Sequence, residues 1–303
     1  MQGSWSSCGP PSRHEPLSAS RPSVSLPPGA TNPRRVGGGD INEAWQVQLN
    51  GEEAFVKTRP DAGAGEYALE AAGLEWLAEP GALQTPRVIE LAGDYLALEW
   101  VEPGRLSAAG AEELGGGLAA IHSAGAPCFG DPGFGEALGV QAHIGSLRLP
   151  NEPSDNWHSF YAERRLMPLV RIAGDRGVLS AGGVESIERV CGRLDRLAGP
   201  PEPPARLHGD LWSGNVHADG DGRPWLIDPS AYGGHREVDL GMLRLFGAPS
   251  ERVFAAYEEV APLAAGWEER IELWQLLPLL VHAVLFGGSY CAAAERVAKR
   301  YAG

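Results

Sequence analysis

The sequence has few cysteines, and those it has are far apart. They stand at Cys8, Cys128, Cys191 and Cys291, with no C-x-x-C spacing among them. A structural zinc site or a disulfide framework needs closely spaced or paired cysteines, so neither is expected. A reducing cytoplasmic setting is the natural prediction from this cysteine usage.

Long apolar runs and an excess of basic residues are also missing. No stretch approaches the roughly 18 apolar residues of a membrane-spanning helix, and the N-terminus lacks the apolar core of a secretory signal. The formal net charge is −14. Nucleic acid and anionic membranes are bound by clustered Lys and Arg, so neither partner is expected. An acidic surface would accept a cationic substrate, although solubility alone also explains it.

Lysine is nearly absent, because only Lys57 and Lys299 are lysines among 25 basic residues. A coding bias toward arginine explains the general scarcity. The ammonium group is a compact point charge that arginine does not replace at a tight phosphate site. A lysine within a phosphate-binding motif of this sequence therefore indicates a specific role for its ammonium group.

The chain divides into three regions by composition. Residues 1–33 contain eight Ser and seven Pro without hydrophobic periodicity, which predicts a disordered tail. Residues 34–101 form a β-rich region, in which Asn50-Gly51 is a strong hairpin turn and 66–78 has helical spacing. Its strands are predicted at 44–49, 54–57, 87–91 and 95–101.

Beyond Pro103-Gly104 the patterns are mainly helical, which sets residues 102–303 apart as a second lobe. The exception is a hairpin at 216–227 around an Asp-Gly-Asp-Gly turn. The helices are predicted at 107–122, 157–172, 184–197, 252–260 and 268–284. A small β-rich lobe followed by a larger helical lobe predicts an α+β, bilobal, protein-kinase-like fold.

The strongest chemical motif is H-G-D-L-W-S-G-N at 208–215, followed by Asp228 after the predicted hairpin. Phosphoryl transfer needs a base for the attacking hydroxyl and oxygen ligands for Mg²⁺. The spacing of the kinase catalytic loop, H-x-D-x-x-x-x-N, is reproduced by His208, Asp210 and Asn215. We therefore predict Asp210 as the base and Asn215 and Asp228 as the metal ligands.

A glycine-rich segment precedes the first predicted hairpin. Gly37, Gly38 and Gly39 would let backbone amides approach phosphate oxygens closely, with Asn42 bracing the loop. The hairpin ends in Ala-Phe-Val-Lys, and Lys57 occupies the position of the kinase lysine that contacts the α- and β-phosphates of ATP.

That lysine should pair with a carboxylate on the following helix. Glu70 is the first choice and Glu66, one turn earlier, is the alternative. Farther along, Glu99-Trp100-Val101 ends a strand just before the Pro-Gly break. In a kinase fold this segment offers backbone groups to adenine, so Glu99 and Val101 are predicted to bind the nucleotide.

Several of these motifs resemble those of the fructosamine kinase family. The segments are L-H-G-D-L-W-S-G-N at 207–215, D-P-S-A-Y-G-G-H-R-E-V-D-L at 228–240 and L-F-G-G-S-Y at 285–290. The resemblance extends over about residues 35–302 and is weakest at 136–156. The H-G-D…N motif alone would also suit aminoglycoside phosphotransferases and choline kinases. Trp212 and the 228–240 segment favour the fructosamine branch.

The resemblance implies a two-lobed enzyme that uses ATP and Mg²⁺. Its acceptor would be a ketoamine, free or protein-bound, phosphorylated at the sugar 3-hydroxyl in deglycation, with Trp212 packing the sugar against Asp210. The alternatives are an aminoglycoside- or choline-type phosphotransferase of the same fold and a pseudokinase without turnover. A pseudokinase normally lacks the base, a metal ligand or the lysine, and all of these are present here.

Overall fold

The N-terminal lobe is built on one five-stranded antiparallel sheet. The computed structural model describes residues 26–37, 42–59, 62, 65–135, 139, 141–247 and 250–303. The strands are β1 (Thr31–Val36), β2 (Glu43–Leu49), β3 (Glu52–Thr58), β4 (Val88–Leu91) and β5 (Tyr95–Glu99), and their order in the sheet is β1-β2-β3-β5-β4. Asn50 and Gly51 join β2 to β3 with φ angles of 53° and 87°, as a tight hairpin turn requires.

The alternation of side chains along β3 directs Lys57 to the functional face of the sheet. Ala54 and Val56 are buried in the core on one face. Phe55 and Lys57 lie on the other face, because successive strand residues point to opposite sides. That face is covered by α1 (Glu66–Ala78).

The C-terminal lobe is mainly helical. Its helices are α2 (Ala108–Ala124), α3 (Trp157–Phe160), α4 (Met167–Asp175), α5 (Ala181–Cys191), α6 (Leu194–Leu197), α7 (Glu237–Leu245), α8 (Glu251–Val260), α9 (Trp267–Trp274), α10 (Leu276–Phe286) and α11 (Ser289–Ala302). A π-helical turn, Tyr161–Leu166, joins α3 to α4. None of the helices within the described ranges is both long and apolar enough to cross a membrane.

Three short antiparallel strand pairs shape the face of this lobe toward the cleft. They are β6 (Gln141–Ile144) with β7 (Leu147–Pro150), β8 (Ala205–Leu207) with β11 (Tyr232–Gly234), and β9 (Val216–Ala218) with β10 (Pro224–Leu226). The segment 208–215 follows β8, and Asp228 follows β10. The β8–β11 and β9–β10 pairs therefore bring the segment 208–215 and Asp228 close together.

The bilobal fold predicted from the sequence is confirmed, with differences at its boundaries. The strand β1 begins at Thr31, so the boundary predicted after residue 33 lies inside this strand, and Leu26 and Ala30 already pack against the core of the first lobe. Residues 1–25 of the predicted tail lie outside the described residues. The strand β1, the β6–β7 hairpin, the β8–β11 pair, α7 and α11 were not predicted, and 184–197 and 268–284 each contain two helices.

Candidate active site

A cleft of about 1300 Å³ runs between the two lobes. Its lining includes Val36, Ala44 and Leu98 from the sheet and Ile227 from the second lobe. These side chains form an apolar slot of the kind that holds a purine ring. Gly37 also lines the cleft, and a Cβ there would meet no atom within 4 Å. The predicted phosphate contacts at Gly38 and Gly39 lie outside the described residues.

The segment predicted to bind adenine forms one wall of this slot. The side chain of Glu99 accepts a hydrogen bond from the backbone amide of Arg87 at 2.9 Å, so the carboxylate is directed toward β4. The carbonyl of Val101 accepts from Nε2 of His217 at 3.2 Å, which ties the segment to the β9–β10 hairpin. Both residues line the cleft, and the backbone amide of Glu99 donates to the carbonyl of Arg87 on the side of β4.

Asn42 lies at the end of the glycine-rich segment and is attached to α1. Its Oδ1 accepts from the hydroxyl of Tyr67 at 3.1 Å and from Nη1 of Arg59 at 3.5 Å. The residue lines the cleft. Its side chain therefore braces the chain that leads into β2.

Lys57 lies at the centre of a group of three charges, of which Lys57 and Glu70 are mostly buried and Asp228 faces the cleft. Its Nζ is 3.0 Å from Oδ1 of Asp228 and also forms an ion pair with Oε2 of Glu70. Burial alone would lower the pKa of Lys57, but the charges of Asp228 and Glu70 raise it above its usual value. Burial, together with the charge of Asp228, raises the pKa of Glu70 to about 7 despite the ammonium beside it.

Of the two carboxylates proposed for this lysine, Glu70 is the one in contact with it. Glu66 is engaged elsewhere, since its Oε2 is 2.7 Å from Nη2 of Arg59 and 3.6 Å from Nδ1 of His143. The helix places them one turn apart on neighbouring parts of the cleft wall. Glu70 serves the lysine, and Glu66 links α1 to the β6–β7 hairpin.

The loop 208–215 is fixed by one buried carboxylate. Asp239 accepts hydrogen bonds from the backbone amides of His208 at 2.7 Å and Gly209 at 3.0 Å. Its Oδ2 is also 3.3 Å from Nε2 of His122. Gly209 has a φ of 80°, and a Cβ there would lie 2.0 Å from the carbonyl oxygen of Ser230. The close approach of two chain segments therefore requires glycine at this position.

His208 is a structural connector of the loop. Its Nε2 lies 2.9 Å from the carbonyl of Ile227, and its Nδ1 accepts from the amide of Asp210 at 3.2 Å. A carbonyl can only accept, so the proton is on Nε2. Burial lowers the pKa of His208, which keeps the ring neutral in this tautomer. The ring joins the two segments that carry Asp210 and Asp228.

Asp210 is a partly buried carboxyl group that lines the cleft. Burial, reinforced by the negative charge of Asp228, raises the pKa of Asp210 to about 7. Asn215 opposes this shift, because its Nδ2 donates to Oδ2 of Asp210 at 3.1 Å and to the carbonyl of Asp210 at 2.8 Å. A carboxyl group with a pKa near neutrality can hold or release a proton under ordinary conditions, as a general base must.

The remaining oxygen atoms of Asn215 and Asp228 fit a divalent cation. The Nδ2 of Asn215 is committed to Asp210, so its Oδ1 points away from that residue. The side chain of Asp228 is 48% exposed to the cleft, and its backbone has a φ of 54°, a conformation that Asp tolerates better than most residues. No group of three His, Cys, Asp or Glu side chains that could hold a metal occurs in the described part of the chain. Mg²⁺ suits such a site, since it takes few protein oxygens and completes its shell with phosphates and water.

An aromatic surface continues the cleft beyond Asp210. Trp212 is 40% exposed and lies edge-on to Phe246 at 6.4 Å between ring centroids. Phe246 and Tyr290 lie 4.7 Å and 4.9 Å from the ring of His282. Aromatic rings near Asp210, among which that of Trp212 is exposed, are suited to stack on the apolar face of a sugar. Trp212 was predicted here from the family resemblance, and the other three rings were not.

Further lining residues missed by the sequence come from the segment 141–151, where the family resemblance was weakest. His143 on β6 and Asn151 after β7 both line the cleft. A short hairpin inserted between helices has little periodicity, so its place against the cleft had no signal in the sequence. The only sign in the sequence was that this segment departs from the family pattern.

Comparison with known proteins gives three independent matches. A family model described as fructosamine kinase matches residues 24–302. A Synechocystis protein named as a probable ketoamine kinase is 35% identical over 272 residues, which covers 88% of this chain and 89% of the relative. A crystal structure of a Thermobifida fusca protein assigned as a fructosamine-3-kinase is 44% identical with a TM-score of 0.82, covering 90% of this chain and 93% of that chain.

A more distant match concerns the fold alone. The crystal structure of an aminoglycoside phosphotransferase is 17% identical and has a TM-score of 0.60, with 90% of this chain and 93% of that chain covered. At this identity the similarity establishes a common bilobal architecture and carries no information about the acceptor.

Proposed function

The chain belongs to the fructosamine kinase family, and on that premise we propose that it transfers the γ-phosphate of ATP to a hydroxyl group of a ketoamine sugar. The resemblance predicted from 207–215 and 228–240 is thereby confirmed. The observation that carries the proposal is the placement of Asp210, a partly buried carboxyl group of raised pKa, in the same cleft as the Lys57–Glu70–Asp228 group.

Asp210 acts as the general base in this proposal. The acceptor hydroxyl gives its proton to the carboxylate of Asp210 as its oxygen attacks the γ-phosphorus. The bond between that phosphorus and the β,γ-bridging oxygen breaks, and its electron pair leaves with ADP. Asn215 holds the carboxylate of Asp210 in position through Nδ2. Positioning and charge compensation are the main contributions that a protein makes to phosphoryl transfer.

The nucleotide is held by groups on both sides of the cleft. Lys57 contributes its ammonium to the phosphates, and Glu70 keeps that ammonium in place. Oδ1 of Asn215 and the carboxylate of Asp228 would hold Mg²⁺. When bound, the ion would supply positive charge against the phosphate oxygens. The apolar slot at Val36, Ala44 and Leu98 takes the adenine.

The charge of the cleft favours an acceptor that carries an amine. Among the described residues that line it, six are carboxylates and three are cationic. The carboxylates are Glu66, Glu70, Glu99, Glu102, Asp210 and Asp228, and the cations are Arg34, Arg35 and Lys57. A ketoamine carries a secondary ammonium next to its sugar. We propose that Trp212 packs against that sugar and that the 3-hydroxyl is the one phosphorylated, which would lead to loss of the sugar from the amine.

ADP release from Mg-ATP with purified protein tests the proposal. Fructosyl-lysine, ribulosyl-lysine, kanamycin and choline are offered in parallel, and Asp210→Ala is the blank. Turnover of a ketoamine alone is the expected result, and NMR of the product identifies the oxygen that carries the phosphate. Turnover of only kanamycin or choline would assign the enzyme to a different acceptor class. No turnover of any acceptor, with ATP still bound, would favour a pseudokinase.

A further inference from the structure

Two polar side chains of the cleft have no part in the chemistry described so far. Asn151 follows β7 and is 3% exposed, and Ser230 follows Asp228 by two residues and is 9% exposed. Both line the cleft. Polar groups that are this deeply buried ordinarily have hydrogen-bond partners, because an unpaired buried donor costs free energy. Their surroundings therefore indicate what they bind.

The orientation of the Asn151 amide is fixed by a guanidinium group. Nη2 of Arg165 donates to Oδ1 of Asn151 at 2.7 Å. A guanidinium has only donors, so the oxygen of the amide must face it and Nδ2 must point the other way. No hydrogen bond from this Nδ2 to another described residue is found, and Asn151 borders the cleft. Its two N–H donors are thus available there.

Arg165 is itself held in an unusual environment. Its side chain is fully buried, with the guanidinium 4.5 Å from the ring centroid of Phe160 and 4.1 Å from that of Tyr232. Its Nη1 donates to the carbonyl of Pro150 at 2.7 Å. Within the described ranges no carboxylate lies within ion-pair distance of it. A buried guanidinium without a carboxylate partner depends on its hydrogen bonds and ring contacts, and these fix its position beside Asn151.

The backbone around Arg165 is equally unusual. Arg165 lies in the π-helical turn Tyr161–Leu166, between α3 and α4. A π-turn inserts an extra residue into a helix, is poorly stable and occurs frequently at functional sites. Here it brings the guanidinium against the end of β7, where Pro150 and Asn151 lie.

Ser230 is brought to the same region by neighbouring extended segments. The amide of Asp131 donates to the carbonyl of Asn151 at 2.8 Å, and the adjacent Gly130 pairs with Gly233. The amide of Ser230 donates to the carbonyl of His208, two residues before Asp210. The hydroxyl of Ser230 has no hydrogen-bond partner among the described residues.

We propose that Asn151, oriented by Arg165, and Ser230 form a polar floor that binds hydroxyl groups of the acceptor sugar and aligns it on Asp210. Asn151 donates through Nδ2, and the Ser230 hydroxyl donates or accepts. Arg165 does not touch the acceptor and is a positioning residue. The floor selects a polyhydroxylated acceptor over an amino alcohol such as choline. This inference rests on the proposed function.

The test compares kinetic constants of the wild type with Asn151→Ala, Ser230→Ala, Arg165→Met and the Asn151→Ala/Arg165→Met double variant. We expect Asn151→Ala to raise the KM of the ketoamine about tenfold, the loss of one hydrogen bond, with the KM of ATP unchanged. Arg165→Met should raise the same KM, and the double variant should be no worse than the more impaired single variant, since both act on one contact. Ser146→Ala, an exposed serine in the turn of the β6–β7 hairpin, is the matched control for Ser230→Ala.

A second variant covers the event that Arg165→Met does not fold. Asn151→Asp keeps a partner for the guanidinium but removes the donor, so it should fold and show the same rise in ketoamine KM. Ketoamines deoxygenated singly at the sugar 4-, 5- or 6-position provide a test from the substrate side. With the analogue that lacks the contacted hydroxyl, wild type and Asn151→Ala should have the same KM.

The outcomes separate this inference from the function on which it rests. A wild type that phosphorylates ketoamines, with Asn151 variants of unchanged ketoamine KM, would overturn the inference alone. Parallel losses in kcat and in both KM values together with a lower Tm would show a structural role only and would also overturn it. A wild type inactive on every ketoamine would overturn the proposed function and this inference with it.

Discussion

Nζ of Lys57 and Oδ1 of Asp228 lie 3.0 Å apart, although 171 residues separate the two in the chain. One belongs to the third strand of the first lobe, and the other follows the β9–β10 hairpin of the second. Glu70 binds the same ammonium from α1. The contact therefore joins three parts of the chain at the position where the phosphates of ATP would lie.

Lys57→Arg is expected to lower kcat/KM for ATP by at least about 100-fold. The planar guanidinium is larger than the ammonium, and the side chains of Lys57 and Glu70 are both buried, so a guanidinium between Glu70 and Asp228 would misplace the phosphates. Steady-state kinetics with varied ATP provides the measurement. Lys299→Arg is the matched control, because Lys299 is the other lysine and its side chain is 64% exposed. Near-normal kinetics in Lys57→Arg would contradict a phosphate contact for this residue.

Glu70→Gln and Glu66→Gln should differ sharply, although they lie one helical turn apart. Glu70→Gln removes the carboxylate that positions the ammonium, so kcat/KM for ATP should fall about 30-fold or more. Glu66 binds Arg59 and lies near His143, so its replacement should leave this constant within about threefold of the wild-type value. Similar losses in both variants would show that the whole helix end, and no specific ion pair, supports ATP binding.

The sequence predicted the parts of the site that rest on short-range patterns. The spacing of 208–215 and the β9–β10 hairpin predicted Asp210, Asn215 and Asp228, which the structure brings to one cleft, and α1 was predicted with the bounds that it has in the structure. Local spacing also reduced the partner of Lys57 to two candidates. The choice between Glu70 and Glu66 required the orientation of α1 against β3, which depends on packing across the sheet.

The acceptor part of the cleft could not be predicted in this way. Asn151 and Ser230 come from segments far apart in sequence, and each has an ordinary residue type in an ordinary loop pattern. Arg165 was read as part of a regular helix, because a π-turn leaves no mark in the periodicity of six residues. Its burial between Phe160 and Tyr232 is a tertiary relationship. Such sites depend on contacts that periodicity does not encode.

Gly209→Ala should unfold the catalytic loop or lower the Tm by about 5 °C or more. A Cβ at this position would lie 2.0 Å from the carbonyl oxygen of Ser230, and the φ of 80° is unfavourable for alanine. Differential scanning fluorimetry is the measurement. Gly220→Ala is the control, since a Cβ in that β9–β10 turn meets no atom within 4 Å. A Gly209→Ala protein with wild-type Tm and activity would contradict the close approach of the two segments.

Asp210→Asn should lower kcat by a factor of about 100 to 10,000. The same substitution should stabilise the fold at alkaline pH. The pKa of Asp210 is about 7 in the fold, against 3.8 for an ordinary aspartate. Between these values the folded chain retains a proton that the unfolded chain has released. The contribution of this group to stability is therefore present below pH 4 and is lost as the pH rises through 7. Asparagine cannot ionise and escapes this loss.

The measurement is thermal unfolding in EDTA without nucleotide, because the pKa of about 7 for Asp210 applies to the protein without bound metal or ATP. We expect the Tm of Asp210→Asn to exceed the wild-type Tm by about 5 °C at pH 8 and the difference to shrink toward pH 5. Asp195→Asn is the control, because that side chain is 66% exposed and should leave the Tm unchanged at both pH values. A variant that is inactive but no more stable than the wild type at pH 8 would show that Asp210 is ionised without cost. The raised pKa would then have to be abandoned as the reason that this carboxyl group serves as a base.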